Sequence, residues 1–297
     1  MKNARTSPRQ QFVSRLLRRF AAICSVLLLA VFCSHPVSAA GSIGTYPSNP
    51  VYLDGTDTGI RAYALEDGVT YLSLREAAAL LFPGAEIGWD REAAYLYTSR
   101  QTVTVPWGKS YIEANGRVFA LSGLSPAPVK LIDDTTYVPI RLIARAAGAD
   151  IVWNGALRRA ELTSGAGYVP SGDTVYPSGD LYWLSRIIYA ESGNQSFAGQ
   201  LAVGSVVMNR VRDAGYPDSV YGVIFDRRFG VQFSPTANGA IYQTPSAESI
   251  RAAKAVLDGT RISGEALYFL DPDIASNFWI VKNCRALFSI GDHDFYS

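Results

Sequence analysis

Histidine and cysteine are nearly absent from this chain of 297 residues, which holds two of the first and three of the second. Cys24, Cys33 and His35 sit near the start, so Cys284 and His293 alone serve the rest. A single cysteine leaves the body of the chain without an internal disulfide. One His and one Cys cannot supply the three protein ligands of a catalytic zinc site. A serine triad has no Gly-x-Ser-x-Gly elbow, and only one histidine to serve it. No Walker or dinucleotide-binding glycine loop occurs, and no cofactor is expected. Charge of one sign is also lacking. The formal net charge is +1, part of the positive charge lies in the first nineteen residues, and no basic stripe remains for nucleic acid. Cys284 and His293 stay open as a cysteine peptidase pair, although Cys284 lies between Asn283 and Arg285 in an aromatic tail.

What is present begins with a targeting pattern. Lys2, Arg5, Arg9, Arg15, Arg18 and Arg19 precede the apolar run Phe20 to Cys33. "VSAAG", Val37 to Gly41, then offers small residues for cleavage, giving a signal peptide over residues 1–39. The apolar run is short against the ~20 residues that span a bilayer. Export is the expectation, and an uncleaved anchor is the alternative.

The text "GAGYVPSGDTVYPSGD", residues 165–180, is rich in turn formers and has no apolar period. It is read as a linker between bodies over residues 50–164 and 181–297. The first body repeats itself. "TYLSLREAAALLFPGAEIGWD", Thr70 to Asp90, aligns with "TYVPIRLIARAAGADIVWN", Thr136 to Asn154. Tyr71 matches Tyr137, Arg75 matches Arg141 and Trp89 matches Trp153. Each unit predicts a short strand, a helix from Leu74 or Ile140, a strand holding the Trp, and a further alternating strand. Between them, turns are expected at Trp107-Gly108 and Asn115-Gly116. This body resembles the copper-amine-oxidase N-terminal-like domain of secreted proteins. It has no His or Cys, hence no plausible copper site. The resemblance implies a non-catalytic module, with wall contact one role for it. Its repeated Trp and Tyr are expected mainly in the core, with a sugar-stacking surface as the alternative.

The second body reads as mainly helical. In "LSRIIYAESGN", Leu184 to Asn194, the apolar residues Leu184, Ile187 and Ile188 form a stripe at helical spacing, and its next position is Glu191. A second helix is expected from Phe197, and a third between a Ser246 cap and Gly259. Strand-like pieces are expected within residues 222–246, and a loop-rich aromatic tail beyond. With metal and serine chemistry poorly supported, carboxylates remain, and glycoside cleavage is chemistry that carboxylates perform alone. The acid must keep its proton near neutral pH. An apolar stripe behind it and a helix C-terminus around it both favour that. A solvated Glu at a frayed helix end explains the position equally well.

In order, "DLYWLSRIIYAESGNQSFAGQLAVGSVVMNRV", "GYPDSVYGVIF", "GVQFSPTANGAIYQTPS" and "FSIGDHDFY" resemble the cell wall hydrolases of the spore cortex-lytic type across residues 180–297. The resemblance implies a two-domain fold class: a small α+β repeat domain followed by a mainly helical, lysozyme-like α+β catalytic domain. It implies lytic transglycosylase activity on the glycan strands of peptidoglycan, with Glu191 as the catalytic acid. "GVQFS" looks like a cleft-lining strand of related enzymes. It makes Gln232 the leading substrate-binding candidate, with Phe233 and Ser234 beside it. Tyr242, Tyr268 and Trp279 are further candidates for stacking on sugar faces, each open to a core role instead. His293 is read as structural, and Asp226, Arg227 and Arg228 as a solvated loop. One departure stands out: "ESGNQSF" replaces a more usual Glu-Ala-Arg-Gly-Glu run. A wall-binding protein without catalysis is the second functional reading.

Overall fold

The computed structural model describes residues 42–124, 127–275 and 279–297. The targeting segment expected over residues 1–39 lies outside them. Among the described residues no helix is long and apolar enough to cross a membrane.

A β-rich domain comes first. In chain order it comprises β1 (Ser48–Leu53), β2 (Thr56–Ala64), β3 (Thr70–Ser73), α1 (Leu74–Leu81), β4 (Glu86–Trp89), β5 (Ala93–Tyr97) and β6 (Thr102–Pro106). There follow β7 (Tyr111–Ala114), β8 (Arg117–Ala120), β9 (Lys130–Ile132), β10 (Thr135–Pro139), α2 (Ile140–Ala146), β11 (Asp150–Asn154) and β12 (Arg159–Thr163). Both repeat units therefore form strand, helix, strand, strand. In the first, the Ser73 side chain accepts a hydrogen bond from the Glu76 backbone at 3.2 Å and donates to the Glu76 carboxylate, a reciprocal cap. The second has Pro139 there and no side-chain cap. Its helix is held by burial of Ile140, Leu142, Ile143, Ala144 and Ala146. The units then diverge. β11 and β12 join a seven-stranded sheet in the order β11-β12-β1-β2-β3-β10-β9, while β4 and β5 open a five-stranded one, β4-β5-β6-β7-β8. The expected turn at Asn115-Gly116 has φ of 50° and 77°, which suits a tight hairpin between β7 and β8.

The aromatic expectation divides. Tyr71 and Tyr137 are buried, but Trp89 is 72% exposed and Trp153 45% exposed. The core assignment is thus wrong for both tryptophans. Each lies on a strand at the edge of its sheet.

The helical domain follows: α3 (Gly172–Val175), α4 (Ser178–Ser192), α5 (Phe197–Arg212), α6 (Val220–Ile224), α7 (Pro235–Asn238), α8 (Ala247–Leu257), β13 (Tyr268–Leu270), α9 (Trp279–Asn283), β14 (Ala286–Ile290) and β15 (His293–Tyr296). Helices α4, α5 and α8 supply most of its core, including Leu184, Ile187, Ile188, Val203, Val206, Val207 and Val256. A side chain at Gly204 would lie 2.8 Å from Ile188 and 3.1 Å from Val256, so this glycine lets the three helices close. The expected Ser246 cap holds, accepting from Ser249 N at 3.1 Å, and Ser196 caps α5 in the same way, from Gly199 N at 3.3 Å. Two expectations fail. Residues 222–246 contain no strand; they form the end of α6, then α7 and a short 3-10 turn. The tail is not merely loop but a three-stranded sheet, β13-β15-β14.

The two domains are fastened together. Tyr111, Val118 and Ala120 of β7 and β8 pack into the helical domain's core. Asp258, just past α8, accepts from Arg117 Nε at 2.9 Å and from the Tyr176 hydroxyl, while its carbonyl accepts from Arg145 Nη2 at 2.7 Å. Arg251 of α8 pairs with Glu113 at 2.7 Å, and Lys254 reaches the Gly116 carbonyl at 2.7 Å. The glycine-rich connection is packed as well. A Cβ at Gly165 would fall 2.2 Å from the Gly148 oxygen, and one at Gly172 2.5 Å from the Gly116 oxygen. Here glycine serves close backbone approach.

Candidate active site

Glu191 stands in the last turn of α4. Asp180 in the first turn suits the positive end of the helix dipole. Leu184, Ile187 and Ile188 fix the buried face at 0% exposure each. The next position on that face is Glu191, which is only partly accessible. The helix ends there by construction. The Ser192 hydroxyl donates to the Ile188 carbonyl at 2.8 Å, and the Gly193 amide caps Tyr189 O. A Cβ at Gly193 would lie 2.6 Å from Tyr189 O, so the chain can turn away only through a glycine.

Among the described residues no hydrogen bond or ion pair reaches the Glu191 carboxylate. Burial alone raises its pKa from the ordinary 4.5 to about 7. The electronegative end of α4 acts in the same direction. The group can therefore hold a proton near neutral pH and release it without breaking a salt bridge, which suits a general acid.

The loop after Glu191 is tethered. Gln195 Nε2 donates to Asp292 Oδ2 at 2.7 Å, in the turn between β14 and β15, and Gln200 donates back to Gln195 O at 3.1 Å. Gln195 was not singled out by its sequence, because its role depends on a turn almost a hundred positions away. Arg210 was likewise missed. It is 5% exposed, donates to Leu267 O at 2.7 Å, and its guanidinium lies 5.1–5.4 Å from the rings of Tyr216, Phe233 and Tyr268.

The proposed substrate residues separate into groups. Phe233, expected at the glycan surface, is 2% exposed and belongs to the core. The expected "GVQFS" strand is a pair of bends leading into α7: Ser234 is already helical in backbone, and Pro235 begins the helix. Gln232 is partly accessible, with one weak contact to Gly230 O at 3.4 Å, and Ser234 is exposed. Tyr268 on β13 meets Trp279 edge-on at 6.2 Å, and Trp279 is 54% exposed. Tyr242 is elsewhere. Its exposed ring lies 6.2 Å from Trp183, in a cluster with Tyr182, Tyr221 and Phe225. Trp183 precedes Glu191 by eight residues of α4, or about 12 Å of helix axis.

Asp226 is buried and paired with Arg228 at 2.9 Å, so that segment is less solvated than its composition implied. His293 is buried, edge-on to Phe269 at 5.3 Å, and burial lowers its pKa. Burial pushes the Cys284 thiol up, away from an activated thiolate. Among the described residues no hydrogen bond joins the two.

Comparison with known proteins accords with this division. A family model described as Cell Wall Hydrolase matches residues 194–296, and one described as Copper amine oxidase N-terminal domain matches residues 53–162. The catalytic domain of the germination-specific lytic transglycosylase SleB from Bacillus anthracis is 36% identical, with 43% of this chain covering 100% of that one at a TM-score of 0.38. A cell wall hydrolase domain forms the C-terminal part of the chain. A copper amine oxidase N-terminal-like domain precedes it. The spore cortex-lytic enzyme of Bacillus cereus is 36% identical over 127 residues, 43% of this chain and 46% of the relative. That of Bacillus subtilis is 33% identical over 115 residues, 39% and 36% respectively. The chain thus spans less than half the length of these curated relatives. Its family match begins three positions after Glu191, so the role of that residue is argued from its geometry.

Proposed function

We propose that this cell wall hydrolase is an exported lytic transglycosylase with a lysozyme-like catalytic domain. It cleaves the bond between N-acetylmuramic acid and N-acetylglucosamine in peptidoglycan. The carrying observation is the Glu191 carboxyl, unpartnered among the described residues and raised to about 7 by burial. Glu191 protonates the glycosidic oxygen as the bond breaks, and the sugar ring takes on oxocarbenium character. The Glu191 carboxylate then accepts a proton from the sugar's own 6-hydroxyl, which closes on the anomeric carbon. One group serves as acid and then base, so the route needs no second carboxylate. Gln232 and Ser234 are the polar substrate contacts, and Tyr268, Trp279 and Tyr242 offer ring faces. The relatives named as spore cortex-lytic enzymes support the wall substrate.

Mass spectrometry of fragments released from purified peptidoglycan tests this. Anhydromuramic ends are expected from the unaltered protein, and none from Glu191→Gln with its fold retained. Reducing muramic ends would mean hydrolysis instead. Undiminished release by the variant would remove Glu191 from the chemistry. Binding to sacculi with no release by either protein would favour the binding-only reading.

A further inference from the structure

The β-rich domain holds a cavity of about 520 Å³ that the chemistry at Glu191 does not use. This is within the ~300–1,000 Å³ range of small-molecule sites. It is built where the second repeat unit meets β1 and β3, with lining from Asn49, Arg141, Trp153 and Arg158. Three observations bear on what it takes. Arg141 and Arg158 are both exposed, and among the described residues neither has an ion pair or hydrogen bond. None of the described residues that line the cavity carries a carboxylate. Two guanidinium groups without an acid between them attract an anion, and their planar forks match a carboxylate.

The second observation is Asn49. It is 5% exposed, lines the cavity, and among the described residues its carboxamide has no hydrogen-bond partner. Its amide atoms are not among the fully buried polar atoms that lack a partner, so the amide remains open to a molecule in the cavity. A ligand with both donors and acceptors, such as an acetamido or hydroxyl group, would satisfy it. The third is Trp153, 45% exposed on the edge strand β11. An exposed indole beside polar donors suits the apolar face of a pyranose ring. Arg141 and Trp153 are the second-unit members of the repeat pairs Arg75/Arg141 and Trp89/Trp153.

We propose that this cavity is a second carbohydrate site, for an N-acetyl sugar joined to a peptide that bears a free carboxylate, with the sugar ring on Trp153 and the peptide carboxylate at Arg141 and Arg158. The commitment to a peptidoglycan muropeptide as the source of that chemistry rests on the proposed wall function; the site itself does not. A muropeptide carries acetamido groups on its sugars and carboxylates on its stem. The domain would then hold a stem-bearing strand while the helical domain works on the glycan.

The test uses the full chain carrying Glu191→Gln, so that ligand is not consumed. The probe is a disaccharide-tetrapeptide, titrated by calorimetry and followed at the Trp153 indole N–H by NMR. Its fully amidated analogue and a glycerol-phosphate polymer are run in parallel. The Trp153 signal is expected to shift. Affinity at this site should fall at least tenfold for Arg141→Gln combined with Arg158→Gln, for Trp153→Ala, and for the amidated analogue on the unaltered site. That last arm needs no cavity substitution and so is immune to misfolding. An unmoved Trp153 signal, equal binding of free and amidated ligand, or binding of the phosphate polymer alone would each overturn the proposal. Because binding is read without turnover, an absence of transglycosylase activity would count against the function of Glu191 and leave this result standing.

Discussion

Glu191 has two properties that pull against each other, and both can be measured. Its carboxyl titrates at about 7 in the folded protein and near 4.5 when unfolded. The folded state therefore binds the proton more tightly. This contribution to stability is fully present below pH 4.5 and is lost as pH rises through 7, amounting to at most about 3 kcal/mol. Glutamine cannot ionise. Glu191→Gln is accordingly expected to gain stability relative to the unaltered protein at pH 8, with little of that gain at pH 4, as read by urea unfolding at both. An equal difference at the two values would show that the acid is not desolvated. Turnover should follow the protonated fraction, so kcat/KM for glycan cleavage should fall as pH rises through about 7. The position of Glu191 on its helix was legible in the sequence from spacing alone. Its solitude was not, since that depends on which side chains other elements bring near.

At the scale of elements, the turn holding Gln232, Phe233 and Ser234 separates recognition from packing. Phe233→Ala should destabilise by about 3 kcal/mol, as for a buried aromatic truncated to Ala. Gln232→Ala should leave the melting midpoint unchanged while raising KM for glycan. The reverse pattern would put Phe233 at the substrate. The sequence concealed this because alternation in a short apolar run does not distinguish a strand from bends that aim one ring inward. The repeat units were far more legible: their helices begin at Leu74 and Ile140, as the spacing indicates. What the repeat could not convey is that identical patterns feed two different sheets. The tail strands were hidden by their brevity; β13 has three residues, and its order beside β15 is set by pairing over long range.

For the molecule as a whole, the composition of residues 165–180 suggested freedom, whereas Gly165 and Gly172 are there to let backbones touch. Asp258, 2% exposed in its side chain, takes a bond from Arg117 across the joint and another from Tyr176 at the end of α3. Asp258→Ala leaves the Arg117 guanidinium without its partner and should cost about 3 kcal/mol. Because Tyr111, Val118 and Ala120 belong to the helical domain's core, both domains should melt in one cooperative step by calorimetry. Two resolved transitions would show the joint to be weak.

The same joint decides how the protein can be divided in the laboratory. A recombinant fragment beginning at Ser178 would lose the cover of Tyr111, Val118 and Ala120, and Asp258 would be left without Arg117 or Tyr176. Such a fragment would present a sticky apolar strip along α8 and a newly wetted carboxylate, and its yield in soluble form should be poor. Polar replacements at the strip, or co-expression of residues 42–177 as a separate chain, would restore it.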